Sequence, residues 1–511
     1  MELGDDHMKP AFILLSILLL FFSITFYKLH ELPGEWYNDI SVENEYEMRL
    51  LRGDLPWEFS LSSGPVYYYA IFPVVYLFGA SWESYKLASI LIASLGIIGV
   101  FLLGKILFNE KVGYAGALVT SISFLYISWA RLGTTPHMIC PILSIYSVIF
   151  YILYRQQKKT IWLLNSVIFA SLGLFTYPAV FVLPVVIVFF LIRDFSTRRV
   201  EKKDFLIGSF CFIAFFMLFA YMIGRQMDEF GSGGYTGSKF TSMLTQAPYL
   251  LVAKTVTNFI KTLGMFHIKG DVVFRYNVPE SPHLDVISGI LFLAGIALLW
   301  KKYRKNVLYF LIPVLILILP SISPGNPDAE IPSASRTLSI FPFVYVLIGL
   351  AIYHFAEWLQ SHTHTLQRII IIGLIFMNIA IINLYHYFVV YPKFLPNGNV
   401  AYGKIIAEFV DSLPERTAVF MPHCCWGDWG QPEPQGVYFR LRRKENRGAI
   451  LEQTAPTCEE VSGYKDTVFI FSPSDIASMI KYRECFPDGA TEMHTDVYNQ
   501  KIYYTLRIKK T

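Results

Sequence analysis

Residues 11–29 read AFILLSILLLFFSITFYKL, with one charge, Lys28, at the edge, and residues 32–65 behind them read LPGEWYNDISVENEYEMRLLRGDLPWEFSLSSGP. About 20 apolar residues in a row span a hydrocarbon core of ~30 Å. The second stretch could not lie in one. Asp39, Glu43, Glu45, Glu47 and Asp54 stand close together there, among Trp and Tyr. A span followed at once by such a loop sets carboxylates against a membrane surface. That fits either a solvated acidic loop or a site that works on a lipid-linked substrate.

The rest of the chain agrees with a membrane class. Apolar residues make up 54% and charged residues 16% of it, with a mean hydropathy of +0.44, where a soluble domain carries about 25% charged residues. The net charge of +4 says little about partners, because Lys and Arg gather in short loops. Nothing in it points to nucleic acid. The first apolar segment is too long for a cleavable signal, no small-residue cleavage site follows it, and later segments make the chain polytopic.

The apolar segments are 11–29, 84–108, 112–129, 137–154, 161–176, 178–192, 205–223, 286–300, 306–320, 337–356 and 369–389. Basic residues in short loops mark the cytoplasmic side. Lys105 and Lys111, then Arg155, Lys158 and Lys159, then Arg193, Arg198, Arg199, Lys202 and Lys203, then Lys301, Lys302, Arg304 and Lys305 all fall on one side if the N-terminus is inside. The loops 30–83, 224–285 and 321–336 and the tail 391–511 then lie outside together. PVYYYAIFPVVYLFGA, residues 65–80, is short, contains Pro65 and Pro73 and is rich in Tyr. It reads as an interfacial helix on the outer surface, since Tyr and Trp prefer that layer. After Tyr391 the composition shifts: a helical GKIIAEFVDSL precedes β-like runs TAVFM, DTVFIF and KIYYTLRI. The expected architecture is an all-α polytopic bundle of about 11 transmembrane helices (1–390) with a C-terminal extracytoplasmic α/β domain (391–511), in the cell membrane.

Cys140 and Cys211 lie in spans and read as packing residues. Cys424, Cys425, Cys458 and Cys485 lie in the outer domain, where four cysteines favour disulfides. Neighbouring Cys424 and Cys425 are expected to pair with Cys458 and Cys485. His423 beside Cys424 raises a metal, but no Cys-x-x-Cys spacing supports zinc.

Taken in order, several motifs resemble the GT-C superfamily of polyprenyl-phosphate-sugar-dependent glycosyltransferases, in its protein-mannosyltransferase and aminoarabinose-transferase branch, over roughly residues 10 to 390. Asp39 stands fourteen residues before Gly53 of LLRGD, where that family carries an acidic pair. GPVYYYAIFPVVYLFG matches its interfacial helix, SWARLG with Arg131 its third-span end, and FTYPAVFVLP, GDVVFRYNVPESPHLDVISGILFLAG and SASRTLSIFP its later elements. Two departures stand out. Ile40 replaces the second acid of the pair, so only Asp39 matches, with Glu43 one helical turn on as a substitute. Thr135-Pro136-His137 stands where some relatives place an Asp before Pro.

The resemblance implies a single sugar transfer from a polyprenyl phosphate (dolichyl or undecaprenyl) to an acceptor outside the cytoplasm, be it a glycan, a lipid or a protein. A carboxylate base must take the acceptor's proton, and cations must meet the charge growing on the departing phosphate. Asp39, with Glu43, is the expected base. Arg131, Arg275 and Arg336 are the expected phosphate ligands, a role that suits the guanidinium fork, although each would serve equally as an interfacial anchor. Tyr67, Tyr68, Tyr177 and Asn277 are expected to line the substrate. One base and direct displacement imply inversion. No cofactor is required, and a divalent metal stays open. WGDWG, Trp426 to Gly430, is similar to the Trp-Trp-Asp-Tyr-Gly of oligosaccharyltransferase catalytic subunits, so that related reading stays open too. A transporter or flippase of lipid-linked sugars is the rival from another class. It would show inverted repeats and broken or charged mid-membrane helices, which are not evident here. A degenerate binding or scaffold protein is a third possibility.

Overall fold

The computed structural model describes residues 5–35, 44–55, 64–133, 136–230, 247–422, 424–427, 430–445, 447–452 and 455–509. Every apolar segment read from the sequence forms a helix. Among the described residues seven helices are long and apolar enough to cross a membrane, or eight if the bent pair Glu110–Ile122 and Phe124–Ala130 is one span. The helices Ala11–Phe26, Pro65–Phe78 and Thr160–Phe175 are apolar but shorter.

The bend in the pair is 65°, and its cause is local. Ser123 is extended (φ −71°, ψ 130°) between the two pieces. An interrupted helix inside a bilayer must find new partners for its freed backbone groups. Asn383, from the helix Thr365–Tyr385, supplies one: its Oδ1 accepts the Phe124 N–H at 2.8 Å, and its Nδ2 donates to Asp285 at 2.8 Å. The Ser123 hydroxyl meets the Tyr345 hydroxyl at 2.7 Å.

The helix Phe341–Gln360 forms the centre of the bundle, and every residue from Phe341 to Ile352 is buried. It runs against Glu110–Ile122 so closely that a Cβ on Gly349 would fall 2.6 Å from the Gly116 nitrogen and 2.7 Å from the Val112 carbonyl. Small residues let helix backbones meet in this way where water gives no hydrophobic drive between spans. Lys202–Phe230 and Thr365–Tyr385 sit at the rim, with Phe210, Phe216, Leu366 and Ile369 turned outward.

Pro65–Phe78 forms the expected helix with Pro73 inside it. The long loop after residue 230 contains a helix that the span reading passed over, Pro248–Gly264. It is anchored by Asn258 to the Ile322 and Ser323 carbonyls, and by Thr262 to Ser321.

The C-terminal part holds a four-stranded sheet in the order β1 (Ala418–Phe420), β2 (Asp466–Phe471), β4 (Lys501–Lys509), β3 (Ala490–Thr495). β1 and β2 are parallel, and the other two pairings are antiparallel. Alternation along β2 divides two cores. Val468 and Ile470 face Ile406, Val410 and Val437, while Phe469 and Phe471 face Val461 and Tyr482. Helices therefore cover both faces of the sheet.

Candidate active site

Asp39 and Glu43, the expected base and its substitute, lie outside the described residues, as does Asp428 of WGDWG. The described surroundings are built from four elements. The first is the tyrosine helix. Gly64, at its start, touches the backbone of Phe175 and Thr176 so closely that no Cβ fits there. Tyr67, fully buried, donates from its hydroxyl to the Gly133 carbonyl, and Tyr68 packs beside Tyr46 with ring centres 5.1 Å apart.

The second and third elements meet through packed rings. Trp129 lies against Tyr276 at 4.0 Å and against His137 at 4.8 Å, and His137 lies 4.2 Å from Tyr177. His137 Nδ1 is buried without a hydrogen-bond partner. The Arg275 and Arg336 guanidiniums both act electrostatically on this imidazole and on the Asp271 carboxylate. Four of the expected residues, Arg275, Arg336, Tyr177 and Asn277, are thus brought to one place from three segments of the chain, the first and last of them 159 residues apart.

Asp271 organises the fourth element. It is 1% exposed, and its two oxygens accept the Val273 N–H at 2.6 Å and the Ala334 N–H at 2.7 Å. The second bond ties the loop that carries Arg275 to the short helix Ala334–Thr337 that carries Arg336. Burial raises the Asp271 pKa to about 6, against the two N–H groups and the two arginines, which lower it. Arg336 pairs with Glu330. Asn277 braces the same loop, donating to the Asp271 and Ser281 carbonyls at 3.0 Å each, and its Oδ1 has no partner.

Arg131 does not join this cluster in the way its motif suggests. Its guanidinium donates to the carbonyls of Tyr27, Lys28 and Leu32 at 2.7–2.8 Å and lies 5.2 Å from the Tyr387 ring centre. Lys86 reaches the Leu29, Leu32 and Pro33 carbonyls in the same turn. A guanidinium occupied by three carbonyls closes the end of the first helix and has little left for a phosphate. The expected cysteine pairing also differs. Cys424 bonds to its neighbour Cys425, and Cys458 bonds to Cys485, which the helix Ile476–Cys485 brings alongside. Among the described residues no three His, Cys, Asp or Glu side chains gather as a metal site.

The start of the acidic loop is gripped by the C-terminal part. Glu35, 1% exposed, accepts the Gly403 N–H at 2.6 Å and pairs with Arg440 at 3.2 Å. Arg440 also donates to the Gly34 carbonyl at 2.7 Å, and Asn399 bonds Gly34 and Glu31. Gly403 sits in the first turn of Tyr402–Ser412, where unpaired N–H groups and the helix dipole favour an anion.

Asp271, Trp129 and His137 were not foreseen as site residues. Each sits inside a quoted motif, but one sequence does not say which of its polar groups turns inward.

Residues 62–222 match the family model described as dolichyl-phosphate-mannose-protein mannosyltransferase. None of the curated proteins matches the chain in sequence. Among solved structures the fold is similar to ArnT from Cupriavidus metallidurans bound to undecaprenyl phosphate, at 12% identity and a TM-score of 0.57, covering 96% of this chain and 97% of that one. It is similar also to the oligosaccharyltransferase of Archaeoglobus fulgidus in its apo form, at 12% identity and a TM-score of 0.53, covering 98% of this chain and 75% of that one. The complex of that archaeal enzyme, AglB, with an inhibitory peptide and a dolichol-phosphate matches at 13% identity and a TM-score of 0.50, over 96% of this chain and 74% of that one. The chain thus shares the fold of these structures over nearly its whole length, and its residues 62–222 resemble the mannosyltransferase family model.

Proposed function

We propose that the chain is an inverting glycosyltransferase that moves one sugar from a polyprenyl phosphate to an acceptor on the outer side of the membrane. The observation that carries this reading is the meeting of Arg275 and Arg336 beside the ring cluster of Trp129, His137, Tyr177 and Tyr276. Guanidiniums suit a phosphate as leaving group, and apolar rings suit a lipid-linked sugar better than water does. That ArnT and AglB structures hold undecaprenyl phosphate and dolichol-phosphate supports the same donor class here.

In the reaction, the acceptor hydroxyl gives its proton to a carboxylate of the first outer loop, with Asp39 as base and Glu43 as the alternative. Its oxygen attacks the anomeric carbon from the face opposite the phosphate. The bond from that carbon to the phosphate oxygen breaks, and the polyprenyl phosphate leaves with the electron pair. Arg275 and Arg336 meet the charge that grows on it. Attack from the opposite face inverts the anomeric centre.

The test is transfer by the purified protein from radiolabelled polyprenyl-phosphate sugars to a membrane extract. Product bearing label, lost on Asp39→Asn and kept on Glu43→Gln, is the expected result. Transfer that survives Asp39→Asn and vanishes with Glu43→Gln moves the base to Glu43. Transfer from no such donor refutes the reading.

A further inference from the structure

Glu47 lies on the short helix Asn44–Leu51 of the first outer loop and is 1% exposed. Among the described residues neither of its carboxyl oxygens has a hydrogen-bond partner. The molecule treats its other buried acids differently. Glu35 has Gly403 and Arg440, Asp194 has Tyr151 and Arg155, Asp204 has Tyr154 and Thr160, and Asp271 has Val273 and Ala334. Among the described residues Glu47 is the one buried acid with both oxygens unmatched. A buried polar group left unmatched costs about 1–3 kcal/mol, and folded chains seldom keep one without a use for it.

The surroundings indicate what the partner is. Glu47 acts electrostatically on Tyr85, which also feels Tyr67, and both tyrosines are fully buried. Tyr46, the residue before Glu47, meets Tyr68 at a tilt with ring centres 5.1 Å apart, and Tyr67 and Tyr68 meet edge to face at 5.7 Å. Burial raises the Glu47 pKa to about 8, so near pH 7 the group is mainly a carboxylic acid, with one O–H to give and lone pairs to receive. A divalent cation would want several oxygen ligands, and no such group gathers among the described residues. A neutral ligand with adjacent hydroxyls and apolar faces satisfies both the carboxyl and the rings.

We propose that Glu47 is a sugar-binding residue, its carboxyl hydrogen-bonding ring hydroxyls of the donor between the tyrosine helix and Tyr85. This rests on the polyprenyl-phosphate-sugar reading and adds a place for the sugar, while Arg275 and Arg336 take the phosphate.

The test separates sugar from carrier. The full chain in lipid nanodiscs is titrated with dolichyl phosphate, dolichyl phosphate mannose and dolichyl phosphate glucose. The parent is expected to bind at least one sugar-bearing lipid more tightly than the bare carrier. Glu47→Leu is expected to remove roughly tenfold of that margin and to leave bare-carrier binding unchanged. Glu47→Gln, which still donates and accepts, should keep most of it. If the Leu variant does not fold, Glu47→Asp carries the test, since a carboxyl drawn back by one methylene should lose the margin in the same lipid-specific way. Equal weakening toward all three lipids, unchanged binding of all three, or no margin in the parent would each overturn the proposal. Sugar transfer by the parent alongside any of these outcomes leaves the glycosyltransferase reading standing and removes this inference alone.

Discussion

Arg440→Met leaves Glu35 buried with the Gly403 N–H as its remaining contact from the C-terminal part among those described above. Breaking a buried ion pair costs about 3–5 kcal/mol. Glu35 is almost fully enclosed and Arg440 is 13% exposed, so the lower end, about 3 kcal/mol, is the fitting figure. At 1.4 kcal/mol per factor of ten, that is ~10²-fold in the population of the opened contact. The Gly403 amide reports it directly, because its hydrogen points at the Glu35 carboxylate. Hydrogen exchange of the full chain in nanodiscs should show the Gly403 amide exchanging ~10²-fold faster in Arg440→Met. Glu35→Gln should show a smaller rise, since an amide oxygen can still accept that hydrogen. Unchanged exchange at Gly403 would refute the reasoning. So would an equal rise at Ile406 and Val410 further along the helix, which would mean general loosening and not a lost contact.

Arg336→Ala should lower turnover by about 10²–10³-fold, the usual loss when a donor to a developing anion is removed. Arg131→Ala should instead lower the melting temperature and leave donor affinity in the folded fraction unchanged; a selective loss of donor binding would restore its phosphate role. The Asp271 pKa is raised in the folded state to about 6, so the stability it contributes is present below pH ~4 and lost as pH rises through about 6. A thermal-melting series from pH 4 to 8 should show this decline, about 2–3 kcal/mol in all, and Asp271→Asn should flatten it. Cys458→Ser opens a disulfide between residues 27 apart and should cost the domain about 2–4 kcal/mol. Cys425→Ser opens a bridge between neighbours, which closes almost no loop, and should cost far less. Denaturant titration compares the two variants.

The long apolar runs were legible because a bilayer demands unbroken hydrophobic length, and β1, β2 and β4 because short runs rich in Val, Ile, Phe and Tyr mark strands buried in a sheet. β3 was not. ATEMHT lies at the sheet edge with almost every residue exposed, so no apolar pattern announces it. The helix Pro248–Gly264 had a readable period in its apolar positions, passed over because it sits in a loop between spans. Arg131 and Arg336 look alike in sequence, each an arginine at the outer end of a span. What separates them is three carbonyls of the turn after the first helix, which no local pattern carries. The same holds for Glu47 within its acidic run. The run marks the loop, but which carboxyl turns inward depends on where Tyr67 and Tyr85 come to lie.

The turn after the first helix has a consequence for how the protein is made. Its carbonyls at Tyr27, Lys28, Leu29, Leu32 and Pro33 are satisfied by Lys86 and Arg131, which are synthesised some 55 to 100 residues later. When the first helix leaves the insertion machinery, its outer end has neither partner. It must wait, bound to water or headgroups at the membrane surface, until both later segments have been delivered. A chain stalled before residue 131 therefore has a first helix without a finished end.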